Sequence, residues 1–185
     1  MPLWGANTSD ESKPKNLTAE EKSRVFADTR GWVITRPDGK EEVIVAIRNL
    51  SGGTTTSNVK LGEATIDSVY FNAVSFEQDA TGYVKVVWNE KVTATTTGTM
   101  VVTFSDDSTA AATLYGASGT NSMLFSFTVP SDTSLTMSIA AQTIDMGIND
   151  YGSTTVTSDL VIASGDIKTA ALAGVTSIAT ITEAA

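Results

Sequence analysis

Residues 121–129 read NSMLFSFTV, and the fold turns on how this stretch is taken. Met123, Phe125, Phe127 and Val129 alternate with Leu124, Ser126 and Thr128, a period of two with Leu124 as the apolar exception. Successive side chains of a strand point to opposite faces, so the pattern gives one apolar and one mostly polar face and leaves no helical stripe. TGYVKVVWNEKV at 81–92 behaves in the same way, with Val84, Val86 and Trp88 set against Lys85 and Val87. Around these two runs, ATIDSVYFNAVSF, TGTMVVTFSDD, STAAATLYG and SLTMSIAAQTI follow one another at the spacing of sandwich strands, separated by Gly, Asn, Asp and Ser. The expectation for residues 64–185 is an all-β, antiparallel immunoglobulin-like sandwich. The mixed stretch LVIASGDIKTAALAGVTSIATITEAA at its end suggests a short helix near 167–173 and a strand near 175–181.

Upstream the texture changes. Pro2, Pro14, Gly5, Asn7, Ser9 and Asp10 make the first 17 residues an irregular arm, in which Leu3 and Trp4 have no periodic element to join. Thr18 followed by Glu21 is a capping box, predicting a short helix that ends near Ala27 and includes Val25 and Phe26. Trp32–Thr35 and Val43–Ile47 flank Pro37-Asp38-Gly39-Lys40, a hairpin whose Pro presets the turn and whose Gly accepts positive φ. A lone hairpin is marginal in water, so this one is expected to dock on a sheet or on another subunit. SGGTTTSN then reads as a flexible connector. The predicted organisation is an arm, short helix and hairpin at 1–50, a linker at 51–63, and the sandwich with its tail at 64–185.

Composition narrows the function. Among 185 residues there is no Cys and no His, which removes disulfides, thiolate nucleophiles, imidazole bases and most transition-metal ligand sets. Residues 1–63 carry nine Lys+Arg against nine Asp+Glu, whereas 64–185 carry three Lys (Lys85, Lys91, Lys168) against twelve acids, so the net charge of −9 belongs to the second part. An acidic body repels phosphates and suits display in many mutually repelling copies, and no nucleic-acid partner is expected. No leader-like start or membrane-length apolar run is visible, so a soluble product of a cytoplasm is expected, with no membrane partner.

Candidate chemistry is sparse. Asp145, Asn149 and Asp150 offer oxygen ligands suited to Ca²⁺, but turn formation explains them without a metal, since the 12-residue calcium-loop pattern is missing. Glu77 with Asp79, or Glu90, lacks an aromatic cleft signal for acid–base work, and Gly98, Gly116 and Gly119 sit between strands instead of opening a helix. A non-enzyme without a cofactor is expected.

Two resemblances bear on function. Trp88-Asn89-Glu90-Lys91-Val92, Ala112-Thr113-Leu114-Tyr115, Ser118-Gly119-Thr120-Asn121 with the alternating run to Val129, and Ile148-Asn149-Asp150-Tyr151-Gly152 resemble, in order, elements of the immunoglobulin-like repeats of bacterial surface and adhesin-type proteins. That likeness implies a display scaffold. Met1-Pro2-Leu3-Trp4-Gly5, Lys13-Pro14-Lys15-Asn16-Leu17-Thr18, Gly31-Trp32-Val33 and Glu42-Val43-Ile44-Val45-Ala46-Ile47 together resemble small virion structural proteins of large tailed marine phages.

The resulting expectation is a virion protein, foremost a capsid decoration or cement protein present in many copies on the major capsid protein. Leu3, Trp4, Lys13, Lys15, Leu17, Arg24, Phe26 and Trp32 are the candidate partner-binding residues, with the aromatics as anchors and the cations meeting acidic groups on neighbours. A neck, tail or fibre-attachment component is the near alternative. A host-surface or glycan-binding adhesion module is the alternative from another class.

Overall fold

The computed structural model describes residues 13–51, 61, 63–116, 120–150, 158–168 and 176–184. Among these residues one helix, α1 (Ala19–Ser23), precedes fourteen strands: β1 (Val25–Asp28), β2 (Gly31–Thr35), β3 (Glu41–Ala46), β4 (Ile66–Phe71), β5 (Ser75–Glu77), β6 (Thr81–Ala94), β7 (Thr99–Phe104), β8 (Thr109–Tyr115), β9 (Thr120–Thr128), β10 (Thr136–Ser138), β11 (Gln142–Thr143), β12 (Ile148–Asp150), β13 (Val161–Ile162) and β14 (Ile178–Thr182). The all-β class holds. Each run anticipated between 64 and 144 contains at least one strand, and the strand expected near 175–181 is β14. Of residues 167–173, where a short helix was expected, 169–173 lie outside the described residues.

The main sheet runs β3-β2-β1-β6-β9-β8-β7-β10-β14-β5, with β4 and β12 also paired to β6. It is mixed where a purely antiparallel one was expected, because β1 meets β6 and β14 meets β5 in parallel. The stretch from β4 through β6 to β5 curls over on itself. Although β4 and β5 lie at opposite ends of that path, Phe71 of β4, Phe76 of β5 and Phe127 of β9 form a ring trio with centroids 6.0–6.1 Å apart. Single bridges from Val69 to Ile167 and from Phe71 to Thr176 tie the free edge of β4 to the segment leading into β14. The roll thus encloses one large core, in which the alternating residues Met123, Phe125, Phe127 and Val129 and their counterparts Val84, Val86 and Trp88 are buried as the period-two pattern requires.

The N-terminal residues build a smaller core. The hairpin forms as expected: β2 and β3 pair antiparallel, Gly39 adopts φ 80°, and the Arg36 N–H donates to the Lys40 carbonyl at 2.8 Å. The helix departs from expectation. It stops at Ser23, and Val25 and Phe26 lie in β1, paired with Ile34 and Val33 of β2. The capping box is present, but five residues of helix cannot repay their own nucleation, and a β-branched and an aromatic side chain gain more from a strand buried on both faces. Val25, Ala27, Trp32 and Ile34 close around Leu50 and Leu61. Leu61 also donates its N–H to the Leu50 carbonyl at 2.9 Å, which pins the two flanks of the expected linker together; residues 52–60 of that linker lie outside the described residues.

One strand contact joins the two cores, Ala27 of β1 beside the buried Glu90 of β6. Charges reinforce it. Asp28, nearly buried, is bound by Arg30 at 2.6 Å, and the same guanidinium reaches Glu41 of β3. From β6, Lys91 binds Glu41 at 2.9 Å, lies 3.8 Å from Asp28, and sits 5.3 Å from the Phe26 ring centroid. Burial alone would raise the Glu41 carboxyl, but hydrogen bonds from Lys91 and Arg30 outweigh it and hold the group below its ordinary 4.5. A depressed folded pKa contributes stability that is present above the ordinary value and lost as pH falls through the lowered one. The melting temperature is therefore expected to fall more between about pH 5 and pH 3 for the native chain than for Glu41→Gln, as followed by calorimetry.

Packing supplies a second test. A Cβ on Gly82 would overlap the Phe127 ring, which lies across β6 as part of the aromatic trio. Gly82→Ala is expected to destabilise by about 1–3 kcal/mol through overpacking. Phe127→Leu in the same chain should recover part of that loss in a denaturant titration.

Candidate basic cleft between the N-terminal unit and the roll

A cleft of about 800 Å³ opens where the N-terminal unit meets β4, β6 and the start of β9. Its chemistry runs against that of the chain. Lys13, Lys22, Arg24, Arg36, Lys85 and Lys168 line it, half of the twelve basic residues in a protein of net charge −9, while Asp67 is the only acid among the lining residues.

Different elements deliver these side chains. Lys22 is in α1 and Arg24 is its C-cap; the capping box of Thr18 and Glu21 sets the helix so that both face the roll. Lys13 is nearly buried: its Nζ donates to Asp67 Oδ2 of β4 at 3.1 Å and to the Lys22 carbonyl at 3.2 Å. Arg36 follows β2 and is drawn towards Glu42 at 2.7 Å. Lys85 projects from the outer face of β6, where strand register places Tyr70, Lys85, Leu124 and Tyr115 in one row across β4, β6, β9 and β8. Lys168 arrives from the segment beside β4, its backbone N–H bonded to the Val69 carbonyl at 3.1 Å.

Several of these cations are incompletely satisfied. Arg24 pairs with Glu20 at 3.4 Å, yet its buried Nε has no hydrogen-bond partner among the described residues. Among the described residues, Lys168 reaches only the Gly165 carbonyl at 3.4 Å. Lys85 is half-buried and pairs with no carboxylate among the described residues; burial pushes its ammonium below the ordinary 10.5. Beside it, burial and then Asp67 raise the Tyr70 hydroxyl, so that ring stays neutral. Ser68, Asn121 and Ser122 add hydroxyl and amide groups to the same wall. The arrangement has the chemistry to attract anions: fixed cations in a concave, partly desolvated site draw negative charge more strongly than the same groups in open water.

The residues anticipated from sequence fall into three groups. Lys13, Leu17 and Arg24 line the cleft, although the carboxylate that Lys13 meets belongs to its own chain. Phe26 and Trp32 are buried inside the molecule, Trp32 in the smaller core, so neither is presented to a partner as a surface anchor. Lys15 is exposed and away from the cleft, while Leu3 and Trp4 lie outside the described residues. Of the calcium candidates, Asp145 pairs through its backbone with Thr99, and Asn149 and Asp150 lie in the β12 ladder beside Thr93 and Val92. No three acidic groups converge among the described residues.

Sequence reading missed Lys22, Arg36, Asp67, Tyr70, Lys85 and Lys168. A signal was available, because Lys85 and Lys168 are two of only three basic residues in the whole acidic part. Comparison of the chain with protein-family models, curated proteins and solved structures finds no match in any of the three.

Lys85 provides the stability test. Its folded pKa lies below its unfolded one, so its charge opposes folding at neutral pH, and the opposition is relieved as pH rises from the lowered value towards 10.5. Lys85→Met is expected to raise the melting temperature at pH 7 and to flatten the alkaline rise seen in the native chain.

Proposed function

We propose that the chain is a structural protein of a phage virion, foremost a decoration or cement protein that docks on the capsid through its N-terminal arm and holds its acidic roll outward. The reading rests on the sequence resemblance described above. The observation that carries it further is the fixing of Lys13. Nearly buried and bound to Asp67, this residue gives the arm a rigid root on the body. An arm starting from a fixed root sacrifices less freedom on docking than one on a slack tether. Many such copies, each weakly held, would brace a shell against internal pressure through multivalent contact. The excess of acid in residues 64–185 keeps neighbouring copies apart.

Trp4→Ala is expected to weaken attachment to purified shells by roughly 30-fold or more, the equivalent of losing about 2–4 kcal/mol from an aromatic anchor. Lys13→Ala should weaken it less. Sedimentation of labelled protein with shells measures both, and unchanged occupancy for Trp4→Ala would overturn the reading. Quantitative mass spectrometry of virions separates a decoration protein, in many copies, from a neck or tail part in few.

A further inference from the structure

We propose that the basic cleft is a binding site for an acidic saccharide, a short oligosaccharide carrying sulfate or uronic carboxylate groups. This goes beyond attachment to a shell and does not depend on it. Lys85, Lys168 and the Nε of Arg24 are the incompletely satisfied donors that would meet the charged groups.

Three observations favour a saccharide over other anions. First, the cleft is concave and about 800 Å³ in volume, within the range of small-ligand sites, whereas a protein partner of standard size covers a broad patch of roughly 800 Å². Second, one aromatic ring lines the cleft beside Lys85 and two more lie beyond it on the same sheet face. Tyr70 lines the cleft in register with Lys85, and farther along the same row Tyr115 is 57% exposed, packed edge-on against Tyr83 with centroids 5.3 Å apart. Tyrosine ring faces carry partial negative charge that suits the C–H face of a pyranose, and their hydroxyls suit its OH groups. Third, the positive charge is local. A long polyanion such as nucleic acid, with a phosphate charge every few ångströms, would run from the cleft onto the acidic surface of the roll. A saccharide of a few rings fits within the basic zone.

Half-buried and without a carboxylate partner among the described residues, Lys85 is then a group held ready for a counter-ion. The ligand restores what burial removes, so affinity should decline as pH rises and the ammonium deprotonates.

The test is calorimetric titration of the isolated full chain with a sulfated tetrasaccharide from heparin, with tetragalacturonate, with a neutral maltotetraose, with polyglutamate and with a short single-stranded oligonucleotide. At least one acidic tetrasaccharide is expected to bind, more weakly as salt rises, and maltotetraose is not; whichever acidic sugar binds identifies sulfate or carboxylate as the preferred group. The double variant Lys85→Met with Lys168→Gln should lose at least tenfold in affinity, Tyr115→Ala severalfold, and Lys40→Gln, on the exposed hairpin turn, nothing. Because Lys85→Met is expected to stabilise the fold, lost binding there would not reflect unfolding. Absence of binding by both acidic sugars, equal or tighter binding of polyglutamate or the oligonucleotide, or unchanged affinity in the double variant would each overturn the proposal. None of these readouts involves a shell, so failure here and failure of the virion reading are distinguishable.

Discussion

β6 holds the molecule together. It runs for fourteen residues and forms ladders with β1, β4, β9 and β12. Its first half sends Val84, Val86 and Trp88 into the large core while Tyr83, Lys85 and Val87 face outward. Its second half brings the buried Glu90 and the ion-pairing Lys91 to the N-terminal unit and returns Val92 to the large core. Trp88 marks the change: its indole N–H donates to the Asp159 carbonyl at 3.0 Å, so the ring is both packed and polar-satisfied where the two cores approach. A strand this long can serve two cores only if its hydrogen bonds are shared out, and the register shift between Val87 and Val92 on the β9 side is where one pairing gives way to the next.

Local signals were legible in the sequence in proportion to how local their causes are. The period-two runs became strands, the Pro-Asp-Gly-Lys turn made its hairpin, and Thr18 with Glu21 made a capping box. Val25 and Phe26 were misread because their strand state depends on β2 and β6, partners that lie outside the window of a helix signal. Parallel pairing of β5 with β14 has no local signature either, since Ser75 meets Thr180 across more than half the chain. The cleft was partly legible. Lys13, Leu17 and Arg24 belong to it, and rarity in the acidic part singles out Lys85 and Lys168, but their convergence beside those three is a product of register and chain closure.

The charge partition acquires a different meaning in three dimensions. Counted along the chain, the second part is acidic with three stray lysines. In the fold none of the three is stray: Lys91 binds Glu41 and lies near Asp28 of the N-terminal unit, while Lys85 and Lys168 line the cleft facing it. The few cations of the acidic roll are gathered where the neutral N-terminal unit sits, and its remaining surface keeps the negative charge that favours solubility. Lys91 is balanced by carboxylates and steadies the junction, whereas Lys85 meets no carboxylate among the described residues and adds to the positive charge of the cleft.

The position of β14 has a consequence for assembly of the chain itself. As the last of the fourteen described strands, it is placed between β10 and β5 instead of at an edge. During synthesis β5 emerges early and has no lateral partner until residues 178–182 have been made, more than a hundred positions later. Closure of the roll therefore awaits β14, and the unpaired margins of β5 and β10 are exposed meanwhile to any other strand that meets them. A nascent chain of this topology has most to gain from staying unaggregated until β14 inserts.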